Sequence, residues 1–314
     1  MDAHAQMTLL FSLLLLIVLL LVKKKLARKQ NQNLPPSPPK LPIIGNLHQL
    51  GSLLHQSLWQ LSKKHGPVML LHLGSVPTVI ISSAEAAKVA LKIHDLDACS
   101  RPQLHGVRKL TYNYLDLAFS PYGEYWRELR KICVLELLSL KRVQSYRAIR
   151  EEEVAKMINS IADHSLSSES PVNLTEKLFA LTASTIFRVV LGATFQGSDF
   201  DHSKFHEVIQ EAESTLGSFY TAEYFPYVGW IIDELSGLPK RHEKIFRELD
   251  HFFQRVIDDH LNVGRREQEH EDIIDVLLKI VKEKAGFGST LLTESNIKAL
   301  LLVSYNANYK STLF

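Results

Sequence analysis

The chain has 314 residues, 46% hydrophobic and 22% charged, enough for one large domain or two ordinary ones with a substantial core. That composition excludes a disordered, collagenous or low-complexity chain. A net charge of +2 from 36 basic and 34 acidic residues gives no whole-chain argument for nucleic acid or an acidic partner, and only two cysteines, Cys99 and Cys133, exclude a disulfide scaffold or a cysteine-rich zinc module and suit a reducing compartment.

Ala3 to Val22 is a run without formal charge in which nine residues are leucine. As a helix it would reach about 30 Å, the thickness of a hydrocarbon core. Lys23, Lys24, Lys25, Arg28 and Lys29 follow at once, with no small-residue cleavage site between. An uncleaved signal anchor is therefore expected over residues 1–22 and a basic stop-transfer linker over 23–33, with the amino terminus lumenal and the remainder cytosolic. Residues 34–45 hold Pro35, Pro36, Pro38, Pro39 and Pro42, which favour a stiff polyproline II hinge over helix or central strand.

From Asn46 to Leu302 the sequence reads as one continuous domain. Val68 to Leu73 and Val76 to Ile81 flank Gly74-Ser75 and predict a hairpin, with Pro77 marking an edge strand. Most of the rest reads as helix. Val154, Ile158 and Ile161 recur at helical spacing, as do Ile245, Leu249, Phe252 and Val256, and then Ile273, Leu277 and Ile280; each predicts a core-facing stripe. Glu151-Glu152-Glu153 and Glu271-Asp272 read as acidic helix starts.

The sequence holds no Walker loop, no G-x-S-x-G and no G-x-G-x-x-G, so phosphate cradling, serine hydrolysis and Rossmann dinucleotide binding lack support. His202 and His206 stand at i, i+4, but no further ligand completes a metal site and a solvated helix face accounts for them. Asn173-Leu174-Thr175 is a glycosylation sequon that the expected topology keeps cytosolic. One cluster stands out. Phe119-Ser120-Pro121-Tyr122-Gly123 is a turn leading into a helix on which Trp126 and Arg130 share a face. Their spacing fits two readings: a joint grip on one anionic group, such as a cofactor carboxylate, or a cation–π pair with no ligand.

The anchor, the basic stop, LPPSPPKLPIIGN, Ser100-Arg101-Pro102 and PYGEYWRELRKIC together resemble the haem-thiolate monooxygenases of the cytochrome P-450 superfamily, in its plant microsomal A-type branch. Glu223 to Trp230, Glu271 to Leu278 and Asn296 to Ala299 follow that branch in order, so the resemblance extends through Leu302. It implies a mainly α fold with a small β-sheet, the N-terminal portion of the P-450 fold behind a single transmembrane anchor. It implies haem as cofactor, with Trp126 and Arg130 holding one propionate and Arg101 a second partner. Pro102 to Leu117 and His206 to Gly217 would correspond to substrate-recognition segments, and Arg127 and Lys131 would lie near the face that docks an NADPH-dependent reductase. The remaining implied partners are membrane lipid and a small lipophilic substrate, at the endoplasmic reticulum, with no nucleic acid.

The family's axial cysteine sits in a glycine-rich, arginine-containing loop, and neither Cys99 nor Cys133 matches it. The oxygen-site glycine, acid and threonine expected after Leu302 and the E-x-x-R pair have no counterpart, and residues 303–314 read as a divergent tail. The chain is accordingly expected to be truncated within the central helix, catalytically inactive, and poorly folded, with Leu300 to Leu302 lacking partners. Two other classes remain open: a non-catalytic membrane-anchored interaction protein, and a lumenal binding protein that glycosylation at Asn173 would reveal.

Overall fold

The hairpin forms where its sequence predicts. In a computed structural model, strands β1 (Val68–Leu73) and β2 (Val76–Ile81) pair antiparallel in a register running from Val68 opposite Ile81 to Leu73 opposite Val76. The structure describes Ser12, Leu16 and residues 34–167, 170–192, 202–262, 271–283 and 292–311, with the backbone alone for 202–206 and 303–311. Apart from Ser12 and Leu16, the expected anchor and basic stop lie outside the described residues, as do the side chains of His202 and His206. Among the described residues no helix is long and apolar enough to cross a membrane.

The chain divides into two compact units, Met1–Ala87 and Lys88–Phe314. In the first, helix α1 (Leu54–His65) packs on β1, whose Met69, Leu70 and Leu71 are buried. A proline run offers carbonyl acceptors and few donors, and here the hairpin supplies the donors. The Leu70 amide donates to the Pro36 carbonyl (2.9 Å), and the buried Asn46 side chain reaches the Pro38 and Pro39 carbonyls, each at 3.3 Å. Asn46 also accepts from the His72 amide (2.8 Å). Gly45 has φ +62° beside the same strand, where a Cβ would run into the His72 carbonyl.

The second unit is helical. In chain order it contains α2 (His105–Leu110), α3 (Glu124–Ile132), α4 (Arg147–Ser167), α5 (Leu174–Leu191), α6 (His202–Leu216), α7 (Thr221–Tyr224), α8 (Gly229–Ser236), α9 (Leu238–Leu261), α10 (Ile273–Lys282) and α11 (Glu294–Ser311). Helix α9 is the spine: it packs against α2, α6, α8, α10 and α11. Its stripe of Ile245, Leu249, Phe252 and Val256 is buried, as the helical period requires, and joins one core with Leu129 and Ile132 of α3, Phe187 of α5 and Leu277 of α10. Asp272 caps α10, accepting from the Asp275 amide (2.9 Å), while the Asp275 carboxylate accepts from the Asp272 amide (3.2 Å), so this acidic start is a full capping box.

Three expectations need correction. Helix α4 begins at Arg147, so Glu151-Glu152-Glu153 does not open it, and its first turn carries no acid. Val154 and Ile158 do not face the core; they are 39% and 56% exposed. The face of α4 turned to α5 is ionic instead: buried Glu153 accepts from Lys156 (2.7 Å) and Arg188 (2.8 Å), and Arg188 also pairs with Glu152 (2.7 Å). Leu300, Leu301 and Leu302 have partners after all, being 4%, 2% and 1% exposed, because α11 lies against α5, α9 and α10 and completes their core.

These burials rank two substitutions. Leu301→Ala should destabilise the chain by about 2–5 kcal/mol through lost contacts and a cavity, whereas Ile158→Ala should change stability by no more than about 0.5 kcal/mol. Urea midpoints of the two variants check the order, and equal midpoints would refute it.

Candidate functional site

Helix α3 grows out of a turn that one buried carboxylate builds. Asp116 Oδ1 accepts from the amides of Ala118 (2.6 Å) and Phe119 (2.8 Å), and desolvation holds this carboxyl above its ordinary range despite those bonds. Pro121-Tyr122-Gly123 then leads into the helix, whose inner face is Leu129 and Ile132 and whose outer positions carry Arg127, Arg130 and Lys131.

On that helix the structure brings Trp126 and Arg130 together. The Arg130 guanidinium lies over the indole, 5.2 Å from its centroid. Arg130 is exposed, and among the described residues no carboxylate pairs with it. The Trp126 indole N–H is already engaged, donating to the Leu117 carbonyl (3.0 Å). Arg130 is thus the available donor, and Trp126 contributes its ring as a platform. Arg101, exposed on the stretch before α2, has no hydrogen bond or ion pair with either residue among the described residues.

The neighbouring Tyr125 is a site residue that sequence reasoning missed. Its hydroxyl donates to the Leu115 carbonyl (2.7 Å) and accepts from Asn296 Nδ2 of α11 (2.6 Å); desolvation pushes the phenol up to about 12. Asn296 is fixed in turn because its Oδ1 accepts from the Thr293 amide (2.7 Å) and hydroxyl (2.6 Å). Adjacent residues of one helix therefore hold two carbonyls of the 115–117 segment, and α11 locks the first of these bonds. Tyr125 stands inside the PYGEYW motif, but its partner lies far along the sequence, where no local pattern points to it.

A cavity of about 710 Å³ opens beside this turn, lined among others by His105, Tyr114, Leu115, Ser120, Tyr122 and Tyr125. One wall is strained: Tyr112, Asn113 and Tyr114 have φ of 51°, 64° and 63°. A left-handed L-residue costs roughly 1–2 kcal/mol, and each of the three is tied down. The Tyr112 hydroxyl donates to Asp250 (2.9 Å), Asn113 accepts from Arg108 Nε (2.9 Å), and the Tyr114 hydroxyl donates to the Leu104 carbonyl (3.0 Å). Burial, then the Asp250 carboxylate, pushes the Tyr112 phenol far above its usual range. Asp250 also accepts from Lys298 of α11 (2.6 Å), so one carboxylate joins the strained turn, α9 and α11.

The two cysteines differ sharply. Cys133 is buried at the end of α3, where desolvation pushes its thiol up to about 11, and Cys99 is exposed. The buried Cys133 setting is not the electropositive one that yields a thiolate ligand. At pH 8 iodoacetamide should modify Cys99 and spare Cys133 until the chain is unfolded; mass spectrometry finding native Cys133 alkylated as fast as Cys99 would contradict this burial.

A family model described as Cytochrome P450 matches residues 35–313. Cytochrome P450 71B34 of Arabidopsis thaliana is 52% identical over 275 residues, covering 88% of this chain and 54% of the relative. Cytochrome P450 71B37, from the same plant, is 53% identical over the same shares. Cytochrome P450 71B19 is 49% identical over 277 residues, 87% of this chain and 55% of its own length. The chain spans about half the length of the curated relatives it matches.

Proposed function

The chain belongs to the cytochrome P450 family, and from that premise we propose that its residues form part of a haem-thiolate monooxygenase. The proposed enzyme takes electrons from an NADPH-dependent reductase and inserts one oxygen atom into a small lipophilic plant metabolite. Bound haem supplies the dioxygen activation and the oxygen transfer.

The observation that carries the reading to individual residues is the exposed Arg130 guanidinium laid on Trp126 with no carboxylate partner among the described residues. A planar fork of donors matches a haem propionate, and the indole keeps that fork oriented. Arg101 is assigned as a second propionate partner. The segment from Pro102 to Leu117 walls the substrate side of the cavity, with the Tyr112–Asp250 bond holding its left-handed turn in place. Exposed Arg127, with Lys131, faces the reductase. Because Cys133 is buried with a raised pKa and exposed Cys99 stands in no glycine-rich, arginine-containing loop, the 314 residues alone offer no fitting thiolate and are proposed to be catalytically silent.

Titration of the detergent-solubilised chain with haemin tests the propionate assignment. Saturable binding should weaken about tenfold or more in Arg130→Ala, the scale of a charged hydrogen bond, and less in Trp126→Phe. Unchanged binding by Arg130→Ala would remove Arg130 from the site.

We further propose that Ala3 to Val22 anchors the chain in the endoplasmic reticulum membrane with the following residues cytosolic, on the strength of its apolar length and the basic run after it. Helix α8 is in keeping with a nearby bilayer because it is inside out. Its buried positions are Gly229 and Asp233, the latter accepting from the Thr221 and Ala222 amides at the start of α7 (2.8 and 2.9 Å). Its exposed positions include Trp230, Ile231, Ile232 and Leu235, the last 84% exposed. Asn173 is exposed and caps α5, accepting from the Glu176 amide (3.3 Å). In microsomes it should remain unglycosylated; a glycan on Asn173 would place the domain in the lumen and reverse the topology.

A further inference from the structure

Within the strained wall of the cavity, Arg108 and Asn113 are bonded to each other twice. The Asn113 amide donates to the Arg108 carbonyl (2.8 Å), and Arg108 Nε donates to Asn113 Oδ1 (2.9 Å). Asn113 is left-handed at φ 64°, a conformation that persists only where its surroundings enforce it and that concentrates at ligand-holding sites. What the turn secures here is a fixed guanidinium. An arginine carries five N–H donors in one rigid plane, and with Nε spent on Asn113 the two Nη groups remain. Among the described residues they have no acceptor, and Glu223, the acid nearest in the α2 region, is occupied by the His105 amide (2.7 Å).

The rest of the wall has a different character. Arg108 and Asn113 line the cavity of about 710 Å³ together with Tyr114, Tyr122 and Tyr125. The Tyr114 and Tyr125 hydroxyls are spent on the Leu104 and Leu115 carbonyls, so these residues offer ring surface rather than a donor. Burial raises the Tyr114 phenol and the Arg108 charge opposes the rise, which puts the cation beside that ring. Glu124, the acid in the lining, stands in the first turn of α3, where the helix dipole favours its charge, and forms no ion pair with Arg108. The cavity thus combines aromatic surface with one planar cationic fork. Two Nη groups match the two oxygens of a carboxylate, and the rings match an apolar body. A neutral molecule of the same shape would cover the fork without giving it a charged acceptor, which penalises it relative to the acid.

We propose that Arg108 is a specificity-determining residue of this cavity, taking the carboxylate of a small amphipathic organic acid, and that Asn113 is the residue that positions it. The proposal deepens the monooxygenase reading by giving the lipophilic substrate an acidic head, and it rests on the assignment of Pro102 to Leu117 to the substrate side.

The test is fluorescence titration of the detergent-solubilised full chain with 2-naphthoate and, separately, with its uncharged primary amide, against protein-free micelles as the blank. The acid should bind saturably and about tenfold or more tighter than the amide, the scale of a charged hydrogen bond. Arg108→Ala should abolish that preference by weakening the acid alone, and Arg108→Lys should restore only part of it, since an ammonium is not a planar fork. Asn113→Gly keeps a residue at ease at φ 64° while removing the Oδ1 acceptor, so it should cut the acid-to-amide ratio severalfold with the thermal midpoint nearly unchanged. Haemin titration of the same variants separates this site from the propionate site: Arg108→Ala should bind haemin as the parent does, and a parent that binds no haemin would count against the haem reading while leaving the naphthoate result standing. Equal binding of acid and amide, no saturable binding of either, or an acid preference that survives Arg108→Ala overturns the proposal. So does a loss of haemin affinity without a loss of naphthoate affinity in Arg108→Ala, which would make Arg108 a propionate partner instead.

Discussion

The apolar stripe of α9 is the constraint from which the second unit is built. Ile245, Leu249, Phe252, Phe253, Val256 and Ile257 are each no more than 4% exposed, and the helices packed on this spine take their positions from it. Burying one such side chain fully is worth roughly 1.5–3 kcal/mol, so six of them far outweigh any single polar bond in the molecule. The same burial explains why α11 is well seated. Leu300, Leu301 and Leu302 extend the stripe's contact surface, and α5 and α10 close over the remaining sides.

Once the stripe fixes the register of α9, the polar residues beside it fall at set heights along the axis. Lys109 of α2 pairs with Glu243 (2.9 Å), Tyr220 bonds His242 (2.6 Å), and Asp250 receives Tyr112 and Lys298. Gly106 lies so close to the His242 and Tyr220 rings that an added Cβ would sit 3.0 and 3.1 Å from them. Burial lowers the His242 pKa and so favours the neutral ring, which suits a residue wedged between helices. These contacts hold the strained 112–114 turn against the spine. Without such anchors three left-handed residues in succession would relax to a commoner conformation.

The residues that the sequence made legible are those whose signal is local. The hairpin announced itself through two β-rich runs about Gly74-Ser75, and the α9 stripe through its period. Trp126 and Arg130 were legible because they lie one turn apart on a single helix. The misreadings share a different cause. Val154 and Ile158 have the right period for a core stripe, but the choice of buried face was made by Arg188 on another helix, whose guanidinium draws Glu153 inward while also pairing with exposed Glu152. Leu300 to Leu302 looked orphaned because their partners lie on α5 and α9, remote in sequence. Tyr125 with Asn296, and Tyr112 with Asp250, are hydrogen-bond pairs from separate elements. Periodicity reports an apolar face but not which distant donor meets which acceptor.

Trp126 shows how these layers meet at the site. An indole has a single N–H donor and can satisfy one strong acceptor at a time. Here that acceptor is the Leu117 carbonyl, part of the segment that Tyr125 also holds through Leu115. A carboxylate competing for the same N–H would bring a charge-assisted bond, stronger than the neutral bond to the carbonyl, but would leave Leu117 to find another donor. Arg130 faces no such choice, because its guanidinium is exposed and has no carboxylate partner among the described residues. The two residues that look equivalent on a helical wheel are therefore unequal in chemistry: the arginine can meet an anion with the turn intact, while the tryptophan can do so only by loosening the turn that positions it.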